Sequence, residues 1–365
     1  MDRIFNPQPG WYSSDFHTHT TCSDGVYAPP ELHRAAADLG LDFLTITDHN
    51  DIRAADFLVP GLPSMVLPGI EVTLLQGHFN VFGLEGNTPA ARELFLPWLV
   101  LPAVDQYRLS LDHPALDGLV RKLLQAGAVL SINHPLLVPW EWRDALIPAA
   151  SFHCMEVIND PTYFDNYRIN PLTRRMWSAW LNAGLRVTGI GGSDFHAPQP
   201  SDDPQRESRP GLPRTFVYAR ELSGQAVLEG LRRGHAYTTM GAGIEFWAEC
   251  GGARFRMGDE VPAGGGPVGV YARVSGAAAA GRARLVADGR LAREARLEAG
   301  GAELELALEP GAKRPGWVRL EVVGEDDQSL ALCNPVYLAD GRQPPAPVGG
   351  LLMGQLLEAA AYPQY

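Results

Sequence analysis

The sequence predicts an α/β protein with a parallel barrel of seven or eight strands, TIM-like in outline, followed by a small immunoglobulin-like β-sandwich. Three observations support this prediction. Short apolar strands alternate with helical segments, polar side chains follow the carboxyl ends of those strands, and at about Ile244 the pattern changes to short alternating segments. A doubly wound open sheet is the competing topology, although such a sheet would gather its ligand residues at one switch point.

The chain opens with a predicted βαβ unit. Residues 11–20 have the character of a first strand, and the two prolines at 29 and 30 favour the start of a helix because their missing N–H groups cost nothing there. Gly40 ends this helix. The next strand, residues 41–47, is nearly all apolar or β-branched, which is typical of a parallel strand covered on both faces.

The same alternation continues along the chain. Further strands are predicted at residues 65–70, 79–84, 128–132, 153–158, 185–190 and 215–219, with helices at 114–126 and 223–233. We therefore divide the chain into a barrel at residues 1–243, a β-sandwich at 244–340 and a tail rich in proline and glycine at 341–365.

Composition narrows the class of partner. The chain of 365 residues carries a net charge of -12, which disfavours binding to nucleic acid or anionic lipid, so we expect a small-molecule substrate. The four cysteines show no paired spacing, which is typical of a reducing compartment. Neither a secretory signal nor an apolar run of ~18 residues is present, so we expect a cytoplasmic protein with no membrane contact; a mature protein without its signal would look the same.

Histidines and carboxylates collect at the predicted strand ends. His17 and His19 are two residues apart, so on a strand their side chains point the same way and can bind one cation. Nine candidate metal ligands share this placement: His17, His19, Asp24, His49, Glu71, His78, His134, Asp194 and His196. A tetrahedral site takes four ligands, so nine candidates with one bridging carboxylate indicate two or three divalent ions. Mixed imidazole and carboxylate ligands suit Zn, Mn or Fe.

These ligands belong to motifs that follow one another in a fixed order. The motifs are Asp15-Phe-His-Thr-His with Ser23-Asp24-Gly25, Thr47-Asp48-His49, Gly69-Ile70-Glu71, Asn133-His134-Pro135 and Ser193-Asp194-Phe195-His196. As a set they resemble the PHP (polymerase and histidinol phosphatase) metal-dependent phosphoesterases. A narrower resemblance, to the carbaryl-hydrolase-like branch, rests on Gly10-Trp11-Tyr12, Gly77-His78-Phe79-Asn80, Gly234-His235-Ala236-Tyr237-Thr238 and Asn334-Pro335-Val336-Tyr337.

The resemblance implies a distorted (β/α)7 barrel with a metal site at its mouth. One ion would be held by His17, His19, Glu71 and Asp194, a second by Glu71, His78 and His134, and a third by Asp24, His49 and His196. The catalytic residues, acting through the metals, would be His17, His19, Glu71, His134, Asp194 and His196. We expect Asp48 to orient a ligating imidazole through its free N–H rather than to bind a metal itself.

Two or three divalent ions carry more positive charge than the three candidate carboxylates carry negative charge, so the site favours an anionic substrate. The expected reaction is hydrolysis of a small phosphate mono- or diester, in which a hydroxide bridging the metals attacks phosphorus in line. The same hydroxide could instead attack a carboxyl ester or a carbamate, and a barrel that retains metals without turnover is the alternative of another class. Three residues are candidates for binding the substrate anion: Arg168, Arg214 and His235. The guanidinium groups of the two arginines can form bidentate pairs with phosphate, and His235 could reach the barrel mouth.

Overall fold

The computed structural model describes residues 3–57, 59–84, 88–95, 109–202, 206–264, 266–277, 280–298, 301–308 and 314–339. The predicted tail at 341–365 lies outside these residues. Within them, no helix is long and apolar enough to cross a membrane.

The first part of the chain contains nine strands and five helices among the described residues. The strands are β1 (Gly10–Ser14), β2 (Phe43–Ile46), β3 (Met65–Leu74), β4 (Gly77–Phe82), β5 (Val129–Ile132), β6 (Cys154–Asn159), β7 (Thr188–Gly192), β8 (Arg214–Ala219) and β9 (Ala236–Thr239). The helices are α1 (Pro29–Asp38), α2 (Pro89–Phe95), α3 (His113–Gln125), α4 (Asn166–Asn182) and α5 (Gly224–Arg232). The chain is thus a mixed α/β protein in which strands outnumber helices.

Local sequence explains where the helices begin. In α3 the Asp112 side chain accepts a hydrogen bond from the Ala115 backbone N–H at 2.9 Å and so satisfies one of the free donors of the first turn. Leu116, Leu119 and Leu123 then recur at helical spacing and are all buried. In α1 the Glu31 carboxylate accepts from the Ala28 backbone N–H at 2.8 Å.

Strands β2 to β7 form one sheet in chain order. The neighbours β2 and β3, β5 and β6, and β6 and β7 are parallel, as predicted. The prediction of an all-parallel sheet is wrong at β4, which runs antiparallel to both β3 and β5. Only two residues separate β3 from β4, and a connection this short makes a hairpin, whereas a parallel pair needs a crossover of a dozen residues or more.

Residues 15–19 connect the two edges of this sheet. On one side, the backbone N–H groups of Thr45 and Thr47 donate to the carbonyls of Asp15 and Thr18 at 3.0 and 2.8 Å. On the other, the His19 N–H donates to the Phe195 carbonyl at 2.9 Å. His17 and His19 are therefore held beside the segment that follows β7.

The second part of the chain consists of short antiparallel strands for the most part. They are β10 (Gly243–Cys250), β11 (Ala253–Arg256), β12 (Glu260–Val261), β13 (Val268–Ser275), β14 (Gly281–Ala287), β15 (Arg290–Leu297), β16 (Ala302–Leu308), β17 (Trp317–Gly324), β18 (Ser329–Cys333) and β19 (Val336–Leu338). Strands β11, β10, β13 and β16 form a four-stranded sheet. A nine-stranded sheet has seven strands in the order β1, β8, β9, β18, β17, β14, β15, while β19 pairs with β17 and β12 with β19. This sheet continues across the predicted boundary at residue 243.

A buried arginine attaches the second part of the chain to α4. Arg319 on β17 is completely buried, lies 4.2 Å from the Trp177 ring and donates to the Ser178 hydroxyl at 2.8 Å. Its charge is balanced by Glu321. Trp177 and Trp317 belong to the same hydrophobic core, so β17 fixes the helix that follows the exit loop of β6.

Candidate metal centre

All nine predicted ligand residues lie in one connected cluster centred on Glu71. The Glu71 carboxylate lies within 4 Å of five imidazoles, those of His17 (3.3 Å), His19 (3.8 Å), His49 (2.6 Å), His78 (3.2 Å) and His134 (3.5 Å). Both His17 and Glu71 are fully buried. A single carboxylate shared by five imidazoles has the position required of a bridging ligand.

Two further carboxylates complete the cluster. Asp194 Oδ1 lies 3.3 Å from His17 Nε2 and 3.0 Å from His19 Nε2. Asp24 Oδ1 lies 3.3 Å from His196 Nε2 and 3.7 Å from His49 Nε2. The Asp24 side chain is 41% exposed and that of His196 is 36% exposed, so the cluster opens to solvent on this side.

The ligand atoms fit divalent metal ions. Three groups have ligand atoms that all lie within 4.8 Å of one another: His19, Asp24, His49 and His196; His17, His19 and Asp194; and His49, Glu71 and His78. Imidazole nitrogens and carboxylate oxygens are the usual donors for Zn, Mn and Fe. These groups differ from the three ligand sets implied by the resemblance. His19 and His49 each belong to two groups, and His134 belongs to none of them, although its imidazole lies 3.5 Å from the Glu71 carboxylate.

Burial and the surrounding charges shift the protonation of the ligand candidates. Burial, together with the neighbouring His196 and His49, lowers the pKa of His19 to about 3. Burial alone would raise the pKa of the Glu71 carboxyl, but the surrounding imidazoles, His17 first, hold that pKa well below its usual range. Burial alone would lower the pKa of His17 and of His196, but nearby carboxylates raise the first well above its usual value and the second to about 9. Metal ligation needs neutral imidazoles and ionised carboxylates, so His19 and Glu71 already meet this need, whereas His17 and His196 would release a proton to a metal.

Backbone strain is concentrated at the same strand ends. Four non-glycine residues at these ends have positive φ: Asn50 (49°), His134 (27°), Asp160 (22°) and Asp194 (52°). Such conformations cost free energy and persist where the surrounding structure holds them, often at functional sites. Two of the four are ligand candidates, which indicates that the backbone is shaped to direct their side chains.

The chain has partial likeness to known proteins. It is 33% identical over 88 residues to the 5'-3' exoribonuclease Rnm of Salmonella typhimurium and over 78 residues to the same enzyme of Escherichia coli. These matches cover 22% and 20% of this chain, and the chain spans only 30% and 27% of the length of those relatives. No family model matches the chain.

Among solved structures, the chain is similar to a two-domain protein of Bacteroides vulgatus that contains a predicted PHP-like metal-dependent phosphoesterase. The identity is 19%, the TM-score is 0.49, and the likeness covers 92% of this chain and 98% of that one. The chain is also similar to a putative metal-dependent phosphoesterase of Bifidobacterium adolescentis, with 17% identity and a TM-score of 0.37 over 50% of this chain and 87% of that one.

Sequence reasoning missed a carboxylate that supports the cluster, Glu156 in the middle of β6. Its Oε1 lies 2.7 Å from His17 Nδ1, and its Oε2 accepts from the His134 backbone N–H at 2.8 Å and from Asn159 Nδ2 at 3.0 Å. A carboxylate accepts from an N–H group, so His17 Nδ1 carries a proton and His17 Nε2 is the nitrogen that would bind a metal. The signal was a single acidic residue in an otherwise apolar strand.

We predict that Glu156→Gln lowers metal affinity by about 10–100-fold. Both carboxylate oxygens accept from N–H donors, so an amide of the same shape turns at least one of these contacts into a donor facing a donor. Metal titration of the purified variant measures the effect. The matched control is Glu303→Gln on β16, which is 77% exposed and should bind metal as the native protein does. Equal affinities for all three proteins would contradict the role of Glu156.

Two other polar residues position ligands. Asn133 Nδ2 donates to Glu71 Oε1 at 2.8 Å, which fixes the rotamer of the central carboxylate. Asp15 is fully buried and accepts from the backbone N–H groups of His17 at 3.1 Å and Ser193 at 3.0 Å. Asp15 therefore connects the two segments that carry His17 and Asp194.

Asp48 holds a loop of the site. Its carboxylate accepts from the Thr20 N–H at 2.7 Å and the Ser23 hydroxyl at 2.6 Å, in the loop that carries Asp24. The carboxylate that contacts the His17 imidazole is that of Glu156, at 2.7 Å. That Asp48 orients a ligating imidazole stays a prediction.

The three predicted anion contacts, Arg168, Arg214 and His235, stay predictions. Arg214 donates to the Leu39 carbonyl at 2.9 Å, and His235 pairs with Asp259 at 3.0 Å beside the second part of the chain. Arg168 is exposed on the first turn of α4. No hydrogen bond or ion pair found among the described residues joins these three side chains to the cluster.

Proposed function

We propose that the chain is a metal-dependent phosphoesterase that binds two or three divalent ions, Zn, Mn or Fe, and hydrolyses a small phosphate mono- or diester. One observation carries the proposal. Three buried imidazole nitrogens of the cluster, His17 Nε2, His19 Nδ1 and His134 Nδ1, form no hydrogen bond with the described residues. A buried polar atom without a hydrogen bond costs about 1–3 kcal/mol, and His17 Nε2 lies 3.3 Å from carboxylate oxygens of both Glu71 and Asp194, so a bound cation between these groups best explains the arrangement.

The cluster supports each part of the proposed reaction. Bound divalent ions would supply a nucleophile from water near neutral pH and neutralise the phosphate oxygens. Glu71, which is buried, and Asp194, which is 17% exposed, would hold the ions, while Glu156 and Asn133 fix the ligands that point at them. The substrate would enter on the exposed side of the cluster, where Asp24 and His196 meet solvent.

Several finer assignments belong to the same proposal. The ring made by residues 15–19 and strands β2 to β7 would correspond to the distorted (β/α)7 barrel, and the later strands to the immunoglobulin-like sandwich, as in the carbaryl-hydrolase-like branch. The substrate would be a small anionic molecule rather than a nucleic acid. The four cysteines are free, which supports a reducing, cytoplasmic location.

The ester class is decided by comparing aryl phosphates with aryl carboxyl esters and carbamates on the metal-loaded protein. We expect release of phosphate, because three carboxylates cannot balance two or three divalent ions and the site remains attractive to an anion. If the protein cleaves only carboxyl esters or carbamates, one of these replaces the phosphoester as the proposed substrate. Bound metal with no turnover on any of these substrates would indicate a binding module.

Metal removal gives a direct prediction. Treatment with a chelator is expected to abolish phosphate release, and adding back Zn, Mn or Fe should restore it for the ion that the protein uses. Elemental analysis before and after treatment measures the stoichiometry, for which we expect two or three ions per chain. The proposal is wrong if phosphate release persists in protein from which all metal has been removed.

A further inference from the structure

Three aromatic side chains form a continuous cluster at the strand ends that carry the metal ligands. The rings of Trp140 and Tyr163 are 5.9 Å apart in an edge-to-face arrangement, and those of Tyr163 and Phe164 are 5.3 Å apart. Trp140 is 39% exposed and Phe164 is 77% exposed. We call these three residues the aromatic platform.

The platform is connected to the metal cluster through two short stretches of backbone. Trp140 follows His134 by two successive turns, in which the Leu137 N–H donates to the His134 carbonyl at 2.9 Å and the Trp140 N–H to the Leu137 carbonyl at 2.8 Å. A turn brings its end Cα atoms within about 7 Å, so the Trp140 Cα lies within about 14 Å of the His134 Cα.

The second stretch leaves β6. The Tyr163 N–H donates to the Asp160 carbonyl at 3.3 Å, and the Asp160 N–H donates to the Gly192 carbonyl at 3.2 Å, two residues before Asp194. The platform thus lies in the exit loops of β5 and β6. The first of these loops begins at His134, and the second is hydrogen-bonded to the segment before Asp194. Exit loops at the carboxyl ends of strands are where proteins of this architecture place substrate contacts.

Core packing does not account for the platform. Phe and Trp side chains bury large apolar areas when they serve the core, as Trp142 does in the same loop against Phe79 and Phe152. Phe164 instead directs most of its surface to solvent. Trp140, at 39% exposed, also keeps part of its ring surface accessible, so the platform has aromatic surface available to a ligand.

We propose that the aromatic platform stacks on a planar aromatic group of the substrate, an aryl ring or a nucleobase, whose phosphate lies at the metal cluster. The position of the phosphate rests on the proposed function. The platform itself carries no charge, so it selects for the flat apolar part of the molecule, while the ions bind the anionic part. Aromatic stacking tolerates any ring with a π-face, which makes the platform a selector of ring-bearing over aliphatic phosphoesters.

The test compares ligands that differ only in the ring. Binding of phenylphosphonate and methylphosphonate to the metal-loaded full chain is measured by calorimetry, and AMP is compared with ribose 5-phosphate in the same way. We expect the ring to tighten binding roughly tenfold in at least one pair. The phenyl pair reports an aryl ring, and the nucleotide pair reports a nucleobase.

Three variants assign the preference to the platform. Trp140→Ala and Phe164→Ala should reduce the preference to less than about threefold, whereas Trp140→Phe, which keeps an aromatic face, should retain most of it. The control is Phe5→Ala, since Phe5 is 37% exposed but precedes β1 at the end opposite His17. The inference is overturned if neither pair shows a preference, or if the preference survives in both alanine variants.

The phosphonates are not hydrolysed, so this outcome is separate from that of the proposed function. A preference that depends on Trp140, in a protein that releases no phosphate from phenyl phosphate, would support the platform and refute the phosphoesterase. Phosphate release from phenyl phosphate, with no ring preference in binding in either ligand pair, would support the phosphoesterase and refute the platform.

Discussion

Replacing Glu71 with alanine is expected to remove bound metal and to reduce phosphate release by about a thousandfold or more. The Glu71 carboxylate lies within 4 Å of five imidazoles, and no other carboxylate of the cluster approaches as many. Without it, two of the three candidate metal positions implied by the sequence lose the charge that balances the ion. Elemental analysis and kcat/KM for an aryl phosphate measure the two effects.

The expected loss must be separated from loss of the fold. Glu71 is fully buried among charged and polar groups, so its removal could disturb packing as well as chemistry. Glu71→Gln keeps the side-chain volume and removes only the charge, and we expect it to retain the circular dichroism spectrum while losing metal. If either variant retains the native metal content and phosphate release within tenfold of native, Glu71 does not bridge the ions.

The nine ligand candidates could be predicted because their spacing is local. His17 with His19, and Asp194 with His196, follow strands whose apolar character is visible in the sequence, and strand ends meet at one edge of a sheet. The support of those ligands is not local. Glu156 contacts His17 across 139 positions of chain, and only the folded arrangement of β6 beside the segment after β1 brings them together.

The course of β4 and the extent of the nine-stranded sheet escaped prediction for a related reason. Leu75-Gln76 is not one of the strong two-residue hairpin signals, so the reversal of β4 has a weak local signature. The pairing of β9 with β18 joins Thr239 to Ala331, and such long-range registers are set by packing rather than by any turn. The change of sequence pattern at about residue 244 therefore indicated a change of structure, but it did not indicate that one sheet contains strands from both sides of this position.

We expect a second strong effect from Gly192→Ala, at the carboxyl end of β7. A Cβ built on Gly192 would overlap the Glu156 carboxylate and the Cβ of His17, well inside van der Waals contact. Glu156 fixes the tautomer of His17, and Gly192 lies two residues before Asp194, so one methyl group would disturb three parts of the metal site. Neither neighbour can yield easily, because both are fully buried or nearly so.

We expect Gly192→Ala to lower phosphate release by about a hundredfold, the loss associated with a displacement of about 1 Å in a site, and to destabilise the fold by about 1–3 kcal/mol. Kinetics with an aryl phosphate and urea unfolding measure the two terms. The matched control is Gly118→Ala in α3, where a Cβ meets no atom within 4 Å and alanine favours the helix by up to about 1 kcal/mol. Both variants add the same methyl group, so only Gly192→Ala should lose activity. If both variants or neither lose activity, the reaction does not depend on the close packing of β7 against the metal ligands.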